Sequence, residues 1–155
     1  MQYQEFEERL IRYSDVTPDD LPGFRARLRN LMKFGAVNKP GVGKGSRLTF
    51  EDDDVWEMAV ALSFVELGLS PTRIRVVMDR VRRFRHMRPK FAASGNAWLQ
   101  VSFRSNIAKV TDDPAHLEVE VELVIASATA MRSGILPPPG HININMNAIE
   151  EKLAR

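Results

Sequence analysis

The spacing of the apolar residues changes once along the chain, and this change limits the fold more than any other feature. Up to Pro89 they recur every three or four positions, as in "RIRVVMDRV" at 73–81. Beyond it they recur every second position, as in "HLEVEVELV" at 116–124. The first spacing is typical of a helix with one apolar face, and the second of a half-buried strand. We therefore expect an α+β chain, with a helical domain over residues 1–89 and a small antiparallel sheet domain over residues 90–155.

Capping residues indicate where the helices begin and end. The expected starts are Thr17-Pro18, the acidic run Glu51–Asp54 and Ser70-Pro71, and the expected ends are Gly35 and Gly68. Pro22-Gly23 indicates a turn or a short helix before the long amphipathic segment that starts at Phe24. Asn147, followed three residues later by Glu150, predicts a capping box that opens a last helix.

The C-terminal domain is expected to have one terminal helix, which is too short to cover a three-stranded sheet. The apolar surface left over should then be buried against the N-terminal domain or a second subunit, which predicts a homodimer. We expect the contributors to be Trp98, Val119, Val121, Ile142 and Ile144. Trp98 and Phe103 could alternatively line a ligand pocket, but core packing is the commoner role of such residues.

Charge is strongly segregated although the net charge is only +2. Residues 21–50 contain seven basic and no acidic side chains, and residues 73–90 have a net charge of +7. Residues 51–72 between them contain six acidic and no basic side chains. Two basic blocks indicate a polyanionic partner, whereas solvated helix faces are the ordinary alternative. Five arginines could either contact that partner or pair with the acids of 51–54: Arg80, Arg82, Arg83, Arg85 and Arg88.

The glycine-rich stretch "KPGVGKGSR" at 39–47 resembles a phosphate-binding loop only superficially. A nucleotide-binding P-loop needs Ser or Thr after Gly43-Lys44 and a glycine five residues before Gly43, where this chain has Gly45 and Asn38. The glycine spacing also fails the dinucleotide-binding pattern. The stretch is better explained as the tip of a cationic hairpin, with residues 48–50 as its second strand.

No feature of the sequence predicts an enzyme, a cofactor or a metal site. The chain has no cysteine, its three histidines are scattered, and no serine lies in a nucleophile motif. Residues 52–54 could hold a divalent metal, but acids at a helix start are the commoner explanation. No apolar run is long enough to span a membrane and the N-terminus lacks signal-peptide character, so we expect a cytoplasmic protein without membrane contact.

Three stretches together resemble the MerR-like winged helix-turn-helix family over about residues 17–83. They are "FRARLRNLMKFGAV" at 24–37, "GVGKGSRLTFEDDDV" at 41–55 and "ALSFVELGLSPTRIRVVM" at 61–78. They are similar to the family's recognition helix, to its wing with the following helix start, and to its third and fourth helices. The long dimerising coiled coil of the family is not evident, and the absence of cysteine rules out its cysteine-based metal and redox sensors.

The resemblance implies double-stranded DNA as the partner. The residues expected in or over the major groove are Arg25, Arg27, Arg29 and Lys33, and those expected on the backbone are Lys39, Lys44 and Arg47. A sequence-specific transcriptional regulator of bacterial or phage type follows, acting with RNA polymerase or another DNA-binding protein. The alternative is an architectural DNA-binding accessory protein for packaging or recombination in a phage-like element.

Overall fold

A computed structural model describes residues 1–37, 48–90, 97–104, 118–125 and 141–155. Its α-helices are α1 (Tyr3–Tyr13), α2 (Leu21–Lys33), α3 (Asp52–Glu66), α4 (Pro71–Val81) and α5 (Met146–Leu153), and a 3-10 helix (Arg82–Met87) continues α4. The strands are β1 (Ala97–Arg104), β2 (Glu118–Ile125) and β3 (His141–Asn145), which form an antiparallel sheet in the order β2-β1-β3. The expected α+β class, with helices first and then a sheet with a terminal helix, is confirmed.

Thr17-Pro18 opens a turn and not a helix, which is one of the two possibilities expected before the long amphipathic segment. The amide of Asp20 donates to the carbonyl of Thr17 at 3.1 Å, and the Thr17 hydroxyl donates to the Asp20 carboxylate at 2.6 Å. Residues 17–20 therefore form a turn, and α2 starts at Leu21. Pro22 lies in the first turn of α2, where an amide has no partner within the helix, so the proline is tolerated.

Glycine ends α2 and α3 as expected. Gly35 and Gly68 have φ angles of +80° and +81°, in the left-handed region that favours glycine. Their amides donate to the carbonyl three residues back, at 3.0 and 2.9 Å. The start of α4 is confirmed as well, since the Ser70 hydroxyl accepts from the backbone amide of Arg73 at 3.4 Å.

The core is centred on α3, which is buried on almost every side and contacts α1, α4 and α5. Trp56, Met58 and Phe64 are its largest fully buried side chains. Buried residues from both sides of Pro89 belong to one hydrophobic cluster. The division into two domains at residue 89 stays a prediction. None of the helices in the described part of the chain is long and apolar enough to cross a membrane.

Residues 48–50 do not form the expected strand. Instead, Phe50 exchanges both backbone hydrogen bonds with Met1, at 2.7 and 2.9 Å. The Phe50 ring stacks on Phe6 of α1 with 4.2 Å between the ring centroids. The segment that enters α3 is therefore tied to the start of α1.

The sheet turns one apolar face towards the helices. Leu99 pairs with Leu123 on β2 and Ile144 on β3, and Val101 pairs with Val121 and Ile142 in the same way. The helices supply the cover, because β2 contacts α4 and β1 contacts α5. Part of this surface therefore packs against α4 of the N-terminal half, as one of the two expected burial sites, and part against the terminal helix α5. The homodimer stays a prediction, because the apolar face of the sheet is covered by helices of the same chain and does not by itself require a second subunit.

Trp98 corrects the expected list of apolar contributors. It alternates with Leu99 along β1 and so lies on the opposite face of the sheet from Val119 and Ile144, which are buried. Its side chain is half-buried and does not belong to the hydrophobic cluster of the described residues. Core packing and a ligand pocket both stay predictions for this residue. The side chain of Phe103 lies outside the described residues.

The cap of α5 is Asn145 rather than Asn147. The side-chain oxygen of Asn145 accepts from the backbone amide of Ala148 at 3.1 Å, and the helix begins at Met146. The predicted cap, Asn147, is buried, and its side-chain oxygen accepts from the backbone amide of Ala97 at the start of β1. A bond across the fold therefore takes the place of the expected local one.

The acidic start of α3 is confirmed. Its acids pair with some of the five arginines that were expected either to contact a polyanionic partner or to pair with residues 51–54. Asp52 pairs with Arg9, whose guanidinium holds the pKa of Asp52 below its usual value. Asp53 pairs with Arg85 and Arg88, and Arg88 also reaches Glu150 of α5 at 2.8 Å. Of the two alternatives, pairing with the acids of residues 51–54 is therefore confirmed for Arg85 and Arg88.

Arg82 is the most heavily bonded of these arginines. Its Nε donates to the carboxylate of Glu57 at 3.1 Å, and its Nη2 donates to the carbonyls of Gly35 and Ala36 at 2.7 and 3.0 Å. The Glu57 side chain is only 1% exposed. Arg82 therefore joins the end of α2 to the middle of α3. Arg80 and Arg83 are exposed, and neither makes an ion pair with another described residue.

Replacing Arg82 by alanine is expected to destabilise the fold strongly. The change leaves the Glu57 carboxylate and two helix-end carbonyls without this donor, and breaking a buried pair in this way costs about 3–5 kcal/mol. Urea unfolding of the full chain measures the difference. The matched control is Arg83→Ala, next in sequence but exposed, which should change the unfolding free energy by less than about 0.5 kcal/mol. Equal losses for the two variants would contradict the role given to Arg82.

Candidate nucleic-acid interface

Helix α2 presents a cationic outer surface because most of its large apolar side chains face the core. Phe24, Leu28 and Leu31 are buried, and the residues between them are exposed. The exposed basic residues are the four expected from the sequence: Arg25, Arg27, Arg29 and Lys33. No acidic residue occurs in α2. The helix thus offers four cationic side chains along two and a half turns.

These four residues do not form one cluster. Arg25 and Arg29 line an open groove between α1 and α2, together with Tyr3, Gln4 and Glu7. They are four positions apart and so lie on the same side of the helix. Lys33 continues this row by another four positions and is exposed.

Arg27 lies on the other flank of α2. It lines a separate depression at the turn between α1 and α2, where the other charged residues are Asp15, Asp20 and Glu66. Acidic surroundings disfavour the approach of a polyanion. Of the four residues expected in or over the major groove of DNA, Arg27 is therefore the least suited to contact DNA.

Within the described ranges, Arg25 is the one member of the row that makes an ion pair. Its Nε donates to Oε1 of Glu7 on α1 at 2.6 Å. The Glu7 side chain is 11% exposed, whereas that of Arg25 is 47% exposed. Burial and the Glu7 carboxylate raise the pKa of Tyr3, which lies in the same groove. The Glu7 carboxylate therefore interacts with both the Tyr3 hydroxyl and the Arg25 guanidinium.

Two polar residues that no sequence pattern singled out lie beside this row. Asn30 is exposed on α2, and Gln4 is exposed on α1 where it lines the groove with Arg29. Both amides can donate to and accept from base edges. A helical projection of α2 could have indicated Asn30, but Gln4 enters only because α1 packs beside α2.

Lys39, Lys44 and Arg47, the residues expected on the DNA backbone, lie outside the described residues. Arg29 and Lys33 make no ion pair with any residue in the described ranges. Across those ranges, no group of three or more acidic or histidine side chains is arranged to hold a metal ion. The distinctive chemistry of this surface is thus cationic and amide side chains that can bind an anion or a base edge.

No protein-family model matches the chain, and no curated protein is significantly similar to it.

The position of Glu7 beside Tyr3 predicts a titration that can be measured. Burial raises the pKa of both tyrosines, Tyr3 and Tyr13, and only Tyr3 has the added effect of Glu7. Glu7→Gln should lower the pKa of Tyr3 and leave that of Tyr13 unchanged, which NMR of ring-labelled tyrosine can follow. A neutral acid with a raised folded pKa stabilises the fold fully below its unfolded pKa of about 10, and this contribution is lost as the pH rises through the folded pKa. An unchanged Tyr3 pKa in the variant would contradict the contact.

Proposed function

We propose that this protein is a sequence-specific double-stranded DNA-binding transcriptional regulator of bacterial or phage type, with α2 as its recognition helix. The observation that carries the proposal is the row of Arg25, Arg29 and Lys33, exposed on a helix without acidic residues. Arg29 and Lys33 have no counter-charge among the described residues, whereas Arg82, Arg85 and Arg88 of the second basic block pair with acids of α3 and α5. Cations left without partners on one helix are suited to phosphates and base edges.

The order of elements supports a winged helix-turn-helix. Helix α1, a turn over residues 14–20 and helix α2 come first, and α3 and α4 follow the glycine-rich stretch. This order agrees with the resemblance to MerR-like domains. In a helix-turn-helix the N-terminal residues of the second helix contact base edges, and Arg25 stands in the second turn of α2.

The double variant Arg29→Ala, Lys33→Ala is expected to weaken DNA binding without unfolding the protein. Both side chains are exposed, so little stability is lost. Two contacts that release counterions disappear, so the slope of log K against log salt should fall by about two units. Fluorescence anisotropy with labelled duplex DNA at several salt concentrations gives both affinity and slope.

The matched control is Arg75→Ala, which instead removes from α4 one exposed cation that has no ion-pair partner in the described part of the chain. Its affinity and salt slope should stay close to those of the unchanged protein. If the α4 variant loses as much per charge as the α2 variant, α2 is not the recognition helix. If the unchanged protein binds no duplex DNA at moderate salt, the proposed function is wrong.

The glycine-rich stretch is expected to contact phosphates rather than bases. Lys44→Ala and Arg47→Ala should each weaken binding equally for a specific site and for random DNA, and each should reduce the salt slope by about one unit. A changed sequence preference at constant slope would instead indicate base contacts. A map of occupied sites in the cell separates a regulator, with discrete promoter sites, from an architectural protein with extended ones.

A further inference from the structure

The ion pair between Arg25 and Glu7 uses only part of the guanidinium. The single bond to the carboxylate runs from Nε, at 2.6 Å, and the two terminal nitrogens of Arg25 make no hydrogen bond to any other described residue. Arginine has five N–H donors in a planar fork. Four of them therefore remain on a side chain that is about half exposed.

The carboxylate side of the pair is firmly placed. Glu7 is 8% exposed as a residue and lies on α1 between Phe6 and Leu10, which bury that helix against the core. The neighbouring Tyr3 ring packs near both Phe6 and Phe50. Glu7 thus belongs to the rigid part of the fold, and it holds one edge of a flexible side chain that projects from α2.

We infer that Glu7 positions Arg25 to recognise guanine in the major groove, so that this pair sets the base preference of α2. A guanidinium held at Nε presents its two terminal nitrogens side by side, which is the arrangement that binds O6 and N7 of guanine. The inference rests on the proposed function and adds the residue pair responsible for specificity.

Holding the side chain matters because an exposed arginine otherwise loses much rotamer freedom when it binds. The carboxylate also carries a negative charge close to the DNA, which opposes binding to phosphates. Glu7 should therefore reduce affinity for random DNA while it raises the preference for guanine. If the ion pair were only structural, its loss would not change the affinity for random DNA and the preference for guanine in opposite directions.

The experiment exposes the full-length protein to a randomised duplex DNA library and sequences the bound fraction. The unchanged protein should select a motif with guanine at one position of the site. Arg25→Lys keeps the positive charge but cannot make the paired contact, and it should lose about tenfold in preference for guanine at that position, while other positions keep theirs.

Glu7→Gln is the decisive variant. It should lower the guanine preference at the same position and leave the affinity for random-sequence duplex unchanged or higher, as measured by anisotropy. The matched control Glu5→Gln removes an exposed acid of α1 with no partner among the described residues, and it should not change the motif. Thermal unfolding of each variant identifies any loss of fold.

The outcomes separate the inference from the proposed function. If the unchanged protein selects no motif, the proposed sequence-specific function fails, and this inference fails with it. If it selects a motif that Arg25→Lys and Glu7→Gln leave intact, DNA recognition stands and the role of the pair is wrong. If Glu7→Gln weakens specific and random binding equally, the pair is structural and the inference is also wrong.

Discussion

The buried carboxylate of Glu57 is the constraint on which the arrangement of the helices depends. A carboxylate removed from water needs a cationic partner, and Arg82 supplies it from the end of α4. The same guanidinium bonds the carbonyls that end α2, and Arg85 lies 3.8 Å from the second oxygen of Glu57. The acidic and basic blocks of the central sequence are thus folded onto each other. This pairing uses Arg82, Arg85 and Arg88 of the second basic block, whereas Arg29 and Lys33 of α2 pair with no acid among the described residues.

The regular elements were predictable because they depend on local patterns. Helical spacing identified α3 and α4, alternation identified the strands, and Gly35 and Gly68 end their helices by a backbone geometry that favours glycine. The failures share a physical cause, which is competition from distant parts of the fold. Asn147 does not cap α5 because it accepts a bond from Ala97, fifty residues away in sequence. Trp98 was grouped with the core because alternation alone does not say which face of a strand turns inwards.

The candidate site was predictable in composition but not in geometry. The absence of acids from α2 and its apolar spacing were sufficient to predict an exposed cationic surface. The separation of Arg27 from Arg25 and Arg29 could not be predicted, since it depends on which flank of α2 packs beside α1. The partner of Arg25 is a glutamate eighteen residues earlier, and no local pattern connects them. The contacts expected between the DNA backbone and Lys39, Lys44 and Arg47 stay a prediction from charge and sequence.

The Arg25–Glu7 pair also bears on the choice between a regulator and an architectural protein. An architectural protein binds through phosphates, and every carboxylate near its basic surface lowers the affinity that it needs. Glu7 lies in the same groove as Arg25 and Arg29, close to the proposed DNA surface, and so it has a cost for binding of that kind. This cost in affinity is offset only if an ordered arginine contributes more to recognition than a mobile one. That condition holds when the arginine discriminates between bases. Arg29 and Lys33 can supply affinity from the same helix because no described residue pairs with them. A row of one held arginine and two cations without an ion-pair partner among the described residues therefore supports the proposal of sequence-specific recognition over that of general DNA binding.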